Sequence, residues 1–238
     1  AQTWQDNTLE PTAKELNAGH VGSIVGFRTR KGEMINARIA SSFISIEQAY
    51  QNLEEIGQKN FETIKSEGRA QWNSILSRVK VEGGDLDQYR TFYSSLYRSL
   101  LFPRKLYEID KNGNKYHYSP FNGNVCAGPL YTDSGFWDTF RSLFPFLNLM
   151  FPSQNAEIQQ GLINTYIESG FLPEWASPGH RDCMVGNNSA SIVTDAFLKN
   201  IGSYNADTLY SALLNGANNR HPKIKSTGRW GYEYYNKM

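Results

Sequence analysis

Residues 131–183 decide how the chain is interpreted, because they hold two motifs: YTDSGFWDTFR at 131–141 and FLPEWASPGHRDC at 171–183. Both motifs place tryptophan next to charged side chains, in or beside segments rich in glycine and proline. A sugar ring has an apolar C–H face that stacks on an aromatic ring, and its hydroxyls need hydrogen-bond partners once they leave water. The two motifs therefore predict a carbohydrate-binding pocket for which the rest of the chain mainly serves as scaffold.

Seven residues of these motifs are the candidates for contact with a sugar, or for support of a contacting residue: Trp137, Asp138, Glu174, Trp175, His180, Arg181 and Asp182. Several also fit a purely structural role. Asp138 and Arg141 have the spacing of an ion pair on a helix surface. Trp175 would fit as a plug at the rim of a barrel. Arg181 and Asp182 would fit as a cap on the helix that follows.

The other polar residues near the motifs give weaker signals. Asp133 either contacts a ligand or caps the next helix. His180 is a poor metal ligand on its own, because no second histidine or cysteine follows at ligand spacing. His20, His117 and His221 have no companions in the sequence, and we assign them no chemistry. No metal site is predicted within the chain.

Residues 85–238, which contain the two motifs, show helical patterns that alternate with loops. Asp85 and Gln88 have the spacing of a capping box at a helix start, and Tyr107–Tyr118 resembles a hairpin. The further predicted helices are 134–151 (bent or restarted at Pro145), 153–169 (closed by Gly170), 187–201 with an N-cap near Asn187, and 205–218. Consecutive antiparallel helices with functional loops predict about half of an α/α toroid, since no short repeat indicates a solenoid.

Two zones precede these helices. Residues 1–45 contain short apolar runs, and Ile35, Ala37 and Ile39 alternate as in a half-buried strand. Residues 46–84 have the 3.6-residue period of two charged amphipathic helices, which predicts a helical linker with solvated faces. The predicted domains are therefore strands at 1–45, a linker at 46–84 and half a barrel at 85–238.

Composition is that of a globular protein. Of 238 residues, 39% are hydrophobic, 20% charged and 13% aromatic. The net charge of +1 gives no electrostatic basis for binding nucleic acid or a membrane surface. No segment is long and apolar enough to span a bilayer. Cys126 and Cys183 cannot form a disulfide framework, and two reduced, buried thiols are expected. Both termini look cut from something longer.

Several segments resemble glycoside hydrolase family 92, whose members are mostly bacterial exo-acting α-mannosidases. They are the two motifs above, GNNSASIVTDA at 186–196, YRSLLFPR at 97–104 and YEID at 107–110. The resemblance covers essentially the whole chain. It implies a mainly α fold: the last strands of an N-terminal β-sandwich, a helical linker, and the first half of an (α/α)6 barrel.

The resemblance also implies chemistry. Family members use calcium and invert the anomeric carbon, with a general acid and a general base roughly 6.5–9.5 Å apart. The family carries those groups in NEPSH-type and DDCG-type segments, which this sequence lacks. We therefore expect the catalytic pair and the calcium ligands beyond Met238, and no catalytic residue within the chain.

The expected partners are a mannose-containing oligosaccharide, with α-1,2-linked N-glycan or mannan ends as the expected substrate, and the C-terminal half of the same polypeptide. A dimer through the exposed face at the cut is a further expectation. By resemblance, the protein is expected outside the cytoplasm, in the periplasm or at the cell surface. The alternative function is a non-catalytic carbohydrate-binding or interaction module on the same helical scaffold.

Overall fold

A computed structural model describes residues 2–230, which are mainly helical with small antiparallel sheets, as predicted. The chain divides into two compact units, Ala1–Ile39 and Ala40–Met238. In the described part of the chain, no helix combines the length and apolarity needed to cross a membrane.

The first unit is a three-stranded antiparallel sheet with strand order β2-β1-β3. Its strands are β1 (Gln2–Gln5), β2 (Thr8–Glu10) and β3 (Val21–Ile24). None of residues 2–39 is buried, so this small sheet has no core of its own. The strand predicted at 35–39 is wrong: the segment is irregular and Ile39 is 85% exposed, because no described strand pairs with it.

The second unit opens with helices α1 (Ile46–Glu54) and α2 (Phe61–Leu76), whose N-caps are the side chains of Ser45 and Asn60. Helix α2 buries none of its residues, as expected for the solvated faces of a linker. Helix α3 (Leu86–Ser99) begins with the predicted capping box between Asp85 and Gln88.

Two small sheets connect α3 to the helical core. One is the predicted hairpin with a third strand added, in the order β5-β6-β7, and the other pairs β4 with β8. The strands are β4 (Arg104–Lys105), β5 (Glu108–Ile109), β6 (Lys115–Tyr118), β7 (Val125–Ala127) and β8 (Tyr131–Thr132).

The core lies among the helices that follow. They are α4 (Phe136–Thr139), α5 (Leu143–Met150), α6 (Pro152–Ser169), α7 (Asn188–Leu198) and α8 (Ala206–Asn218). The helix predicted at 134–151 breaks at 140–142 rather than bending at Pro145. Pro145 instead lies in the first turn of α5, where its missing N–H leaves no hydrogen bond unmade. Helix α6 ends at Gly170 in the left-handed conformation, as predicted.

Helix α6 is the centre of this core and packs against α5, α7 and α8. The buried apolar cluster comprises Phe136, Phe144, Leu147, Phe151, Ile158, Leu162, Ile163, Leu172, Ile192, Val193, Leu209 and Ala212. Removing this apolar surface from water is the main force that fixes α4 and the loop after α6 relative to each other. The two predicted sugar-binding motifs lie on those two segments.

The two cysteines are both free, as predicted. They are not both buried, however. Cys126 is partly buried in β7, whereas Cys183 is exposed in the loop before α7. The expectation of two buried thiols is therefore wrong: Cys126 is only partly buried, and Cys183 is exposed because residues 181–183 run along the surface.

Candidate functional site

A two-residue antiparallel ladder joins the two motifs. Strand β9 (Ser134–Gly135) belongs to the first motif and pairs with β10 (Trp175–Ala176) of the second. Gly135 is the direct partner of Trp175. The Phe136 N–H donates to the Glu174 carbonyl at 3.0 Å, which continues the ladder into the start of α4. Gly135 and Trp175 are forty positions apart in the sequence but are neighbours in this two-stranded sheet.

Gly135 is the point at which the site side chains meet. A Cβ added to Gly135 would lie 3.0 Å from Asp138 Oδ2 and 3.3 Å from Trp175 Cε3. It would also lie 2.6 Å from Met184 Cε, closer than nonbonded carbons approach. The absence of a side chain at position 135 therefore lets Asp138, Trp175 and Met184 gather around one Cα atom.

Asp138 exposes its carboxylate on α4 and has no ion-pair partner among residues 2–230. The structural alternative, an ion pair with Arg141, is not formed. Arg141 instead donates to the Trp137 carbonyl at 2.8 Å, and its guanidinium lies 4.4 Å from the centre of the Phe140 ring. Asp138 is therefore an exposed acceptor with lone pairs available to a ligand.

The two tryptophans are both accessible. Trp137 is 43% exposed, and the Arg141 guanidinium lies 5.3 Å from its ring centre. Trp175 is half-buried, with the edge of its ring against Gly135. Neither ring is enclosed, so each keeps apolar surface that a sugar C–H face would cover.

Glu174 lies behind the site rather than in it, since only 1% of the residue is exposed. Its carboxylate accepts hydrogen bonds from the Asn188 N–H and from the Ser189 hydroxyl, both at 2.6 Å. Asn187 occupies the predicted N-cap position of α7, but its own side chain makes no capping bond. Glu174 therefore caps α7, and the expectation that it accepts sugar hydroxyls is not met by its position.

Burial raises the pKa of Glu174 to about 7, while the hydrogen bonds from Ser189 and the Asn188 N–H act in the opposite direction. The carboxyl group is a buried titratable group at a helix N-terminus. It consequently couples the stability of α7 to pH in the neutral range.

His180 is also a supporting residue. Its Nε2 lies 2.9 Å from Ser169 Oγ, and its ring packs against Phe121 at 5.0 Å and His221 at 4.9 Å between centroids. Burial, together with the nearby imidazole of His221, lowers the pKa of His180 to about 4. The ring is therefore neutral at pH 7 and holds the loop after β10 against α6.

Arg181 and Asp182 both have exposed side chains. The Arg181 N–H donates to the Trp175 carbonyl at 3.0 Å, and the Asp182 carboxylate accepts from the Ser226 N–H at 2.8 Å. Neither caps α7, because Glu174 does, so that structural alternative is wrong. Within residues 2–230 the Arg181 guanidinium has no hydrogen-bond partner, which leaves its donors available beside Trp175.

An open groove of about 730 Å³ adjoins these residues. Met184 lines the groove and also contacts the space beside Gly135, and Ser226 lines it while bonded to Asp182. None of the seven predicted site residues is among the described lining residues of the groove. Sequence reasoning missed both Met184 and Gly135, although a glycine directly before a helix with an aromatic start is a signal of close packing.

Asp133 does not cap the next helix, because α4 has no side-chain cap. It adopts a left-handed backbone with φ of 60°, and its carboxylate accepts from Arg104 Nε at 2.6 Å and from the Ser177 hydroxyl at 3.3 Å. It thus joins the end of β8 to the loop after β10, and contact with a ligand stays a prediction.

The potential metal-ligand cluster among residues 2–230 does not fit calcium. Calcium takes six to eight oxygen ligands. Within residues 2–230, the cluster of three potential metal ligands is His117, Cys126 and Glu168, which offers one nitrogen, one sulfur and one carboxylate.

The identity of the domain rests on comparison with known proteins. The family model described as the glycosyl hydrolase family 92 catalytic domain matches residues 48–238. The chain belongs to glycosyl hydrolase family 92. This confirms the resemblance of the motifs.

Solved structures of family 92 members agree with this assignment. An inverting mannosidase of the family from Bacteroides thetaiotaomicron VPI-5482 is 41% identical, with a TM-score of 0.84 over 100% of this chain and 32% of its own. A family 92 α-mannosidase from Bacteroides thetaiotaomicron is 24% identical, with a TM-score of 0.77 over 93% of this chain and 31% of its own, and it shows the shared fold.

A fungal relative is more distant. The protein described as an uncharacterized secreted glycosidase of Arthroderma benhamiae is 25% identical over 205 residues, which are 83% of this chain and 22% of that protein. The chain therefore spans a third or less of the length of each of these relatives.

Proposed function

We propose that the intact family 92 protein is an exo-acting α-mannosidase and that this chain supplies one wall of its sugar pocket. The observation that carries the proposal is the meeting of Asp138 and Trp175 at Gly135, which combines an exposed carboxylate with a half-buried aromatic ring. That combination matches the two faces of a pyranose, one polar and one apolar. The 41% identical relative is an inverting mannosidase, which supports the same substrate class and stereochemistry.

In this proposal each exposed residue has a distinct task. Asp138 accepts hydrogen bonds from ring hydroxyls, and Arg181 donates to hydroxyl oxygens from the neighbouring strand end. Trp175 and Trp137 stack on the apolar face of the sugar. Glu174, His180 and Asp182 act indirectly, by holding α7 and the loop between β10 and α7 in place.

We infer that Glu174 and Asp133 are not the inverting pair. Inversion needs a protonated carboxyl group on one side of the bond and a carboxylate that activates water on the other. Glu174 is buried in a cap, and Asp133 is bound to Arg104. We place the catalytic acid and base, and the calcium ligands, in the later segments of the family domain.

We further infer that α3–α8 belong to an (α/α)6 ring and that the first unit belongs to a β-sandwich. Apolar side chains exposed on α7 and α8 support the first inference, since further helices would cover them: Phe197, Leu198, Tyr210 and Leu214. A dimer through the same surface remains the alternative. The expected substrate is an α-1,2-linked mannan or N-glycan end, and the secreted fungal relative supports a location outside the cytoplasm.

The decisive assay follows the hydrolysis of an α-mannoside by proton NMR. The intact protein should release β-mannose first, which then mutarotates, because water attacks opposite the leaving group. Initial release of α-mannose contradicts inversion. Sugar binding without turnover by the intact protein supports a non-catalytic binding module instead. Turnover by the 238-residue chain alone contradicts the placement of the catalytic pair outside it.

A further inference from the structure

His117, Cys126 and Glu168 form a cluster that the sugar site does not use. His117 and Cys126 are direct partners in the ladder between β6 and β7, so their side chains project from the same face of the hairpin. Glu168 reaches them from the last turn of α6. One ligand atom of each residue lies within 4.8 Å of the other two.

The hydrogen bonds of His117 require a proton or a metal ion next to its Nε2. Its Nδ1 lies 2.9 Å from the Gly128 carbonyl oxygen, which only accepts, so Nδ1 carries a hydrogen. Its Nε2 lies 2.9 Å from Glu168 Oε1. A neutral imidazole with Nδ1–H would direct a lone pair at that carboxylate oxygen. Either a proton or a metal ion therefore lies between Nε2 and Glu168.

Two features favour a metal ion over a proton. The side chain of Glu168 is 6% exposed, and its second oxygen, Oε2, is buried without a hydrogen-bond partner in the described structure. A proton between Nε2 and Oε1 leaves Oε2 without a partner. The charge of a divalent ion, in contrast, stabilises both oxygens of the carboxylate. Glu168 also lies at the C-terminal end of α6, where the helix dipole disfavours an uncompensated negative charge.

The sulfur atom makes the cluster a ligand set rather than an ion pair. Burial raises the pKa of the Cys126 thiol, and the Glu168 carboxylate raises it further. A bound divalent ion reverses this effect, since a coordinating thiol is deprotonated. Nitrogen, sulfur and carboxylate donors are the ligand types that zinc takes in proteins, and three protein ligands leave one position for water.

We propose that His117, Cys126 and Glu168 bind one zinc ion, which ties the β6–β7 hairpin to the end of α6. Binding displaces the proton between Nε2 and Oε1 and the proton of the Cys126 thiol into solvent. The ion is structural. Ser169, the neighbour of Glu168, bonds to His180, so the ion steadies the helix end that supports the loop after β10. The inference is independent of the proposed α-mannosidase activity.

The test uses the intact protein, freed of metal with a chelator and kept reduced without added thiols. Titration with Co²⁺ should produce a near-ultraviolet thiolate-to-cobalt absorption that saturates at one equivalent and disappears when Zn²⁺ is added. Cys126→Ser should abolish the absorption. Cys183→Ser, which removes the exposed cysteine, is the matched control and should retain it in full.

A second measurement keeps the proposal open to refutation if Cys126→Ser does not fold. The Cys183→Ser protein, dialysed after exposure to Zn²⁺, should hold one zinc per chain and melt at a higher temperature than its chelated form. Absence of the cobalt absorption in the parent protein, or of zinc in Cys183→Ser, overturns the proposal and leaves a protonated His117–Glu168 pair. Persistence of the absorption in a folded Cys126→Ser protein overturns it as well.

Discussion

Asp138 presents a carboxylate beside Trp175 without any cation to neutralise it among the described residues. Such a group costs the folded protein little, because it stays hydrated until a ligand displaces the water. Its hydrogen bonds to a bound sugar would strengthen as the ring distorts toward the transition state. No contact that stabilises the fold explains this residue among the described ones, so we propose a functional role for it.

Asp138→Ala should lower α-mannosidase activity of the intact protein by about 100- to 1,000-fold, or about 2.7–4 kcal/mol of transition-state stabilisation. The melting temperature should stay unchanged, because the side chain makes no hydrogen bond to a described residue. Steady-state kinetics and thermal unfolding measure the two effects. Asp87→Ala, an exposed first-turn aspartate on α3, is the control and should alter neither. Parallel losses of activity and melting temperature would identify Asp138 as structural.

Gly135→Ala should reduce activity although it removes no functional group. The added methyl would lie 2.6 Å from Met184 and 3.0 Å from the Asp138 carboxylate, so Met184 must move and Asp138 must also shift slightly. We expect at least a tenfold loss in kcat/KM. Gly68→Ala is the control: nothing lies within 4 Å of its Cβ, and alanine stabilises a helix interior by up to about 1 kcal/mol. Full activity of folded Gly135→Ala would show that the close approach is not needed.

At the scale of elements, α7 depends on a cap that comes from another segment. Glu174, which precedes Trp175, supplies the acceptors for the first N–H groups of α7. The loop between β10 and α7 is therefore fixed at both ends, because Glu174 lies directly before β10 and also bonds to the start of α7. This loop carries His180, Arg181 and Asp182. A change in the ionisation of Glu174 acts on this loop and on the helix together.

The raised pKa of Glu174 sets the sign of a pH effect. Its carboxyl group titrates at about 7 in the folded protein, against an ordinary value of 4.5. Between these values the folded state binds more protons than the unfolded state, so the free energy of unfolding falls as pH rises. Glu174→Gln should show a smaller decline between about pH 5 and about pH 8 in denaturant titrations. Glu55→Gln, at an exposed position, is the control. If the free energy of unfolding of Glu174→Gln falls with pH as steeply as that of the parent protein, the raised pKa of Glu174 is contradicted.

Local sequence signals predicted most elements where the deciding contacts are themselves local. The capping box at Asp85, the left-handed stop at Gly170 and the hairpin around residues 107–118 all depend on neighbours a few positions away. The strand predicted at 35–39 failed because a strand needs a partner, and period-two alternation does not reveal whether one is present.

The sequence predicted residue types for the candidate site but not the position of each residue. Strands β9 and β10 bring Asp138 and Trp175 of the two motifs together, whereas a sugar-binding role for the seven residues stays a prediction. The burial of Glu174 and the cluster around His117 arise from contacts between residues more than ten positions apart. Spacing along the chain carries no information on such contacts, so these roles needed coordinates.

At the scale of the whole molecule, the core among α4–α8 holds the two motifs at one edge while α7 and α8 keep apolar side chains exposed. This arrangement suits a chain that forms part of a larger helical domain. It also agrees with the proposal that this chain supplies one side of the sugar pocket, since the chain spans 32% of the inverting mannosidase it resembles. The remaining groups of the pocket come from elsewhere in the family domain under our proposal.

The most direct measurement is a crystal structure of the intact protein with mannoimidazole, a compound seen in complex with a family 92 α-mannosidase of Bacteroides thetaiotaomicron. The account predicts a hydroxyl of the ligand within hydrogen-bond distance of the Asp138 carboxylate and the ring against Trp175 or Trp137. A ligand bound with none of these three residues in contact would contradict it.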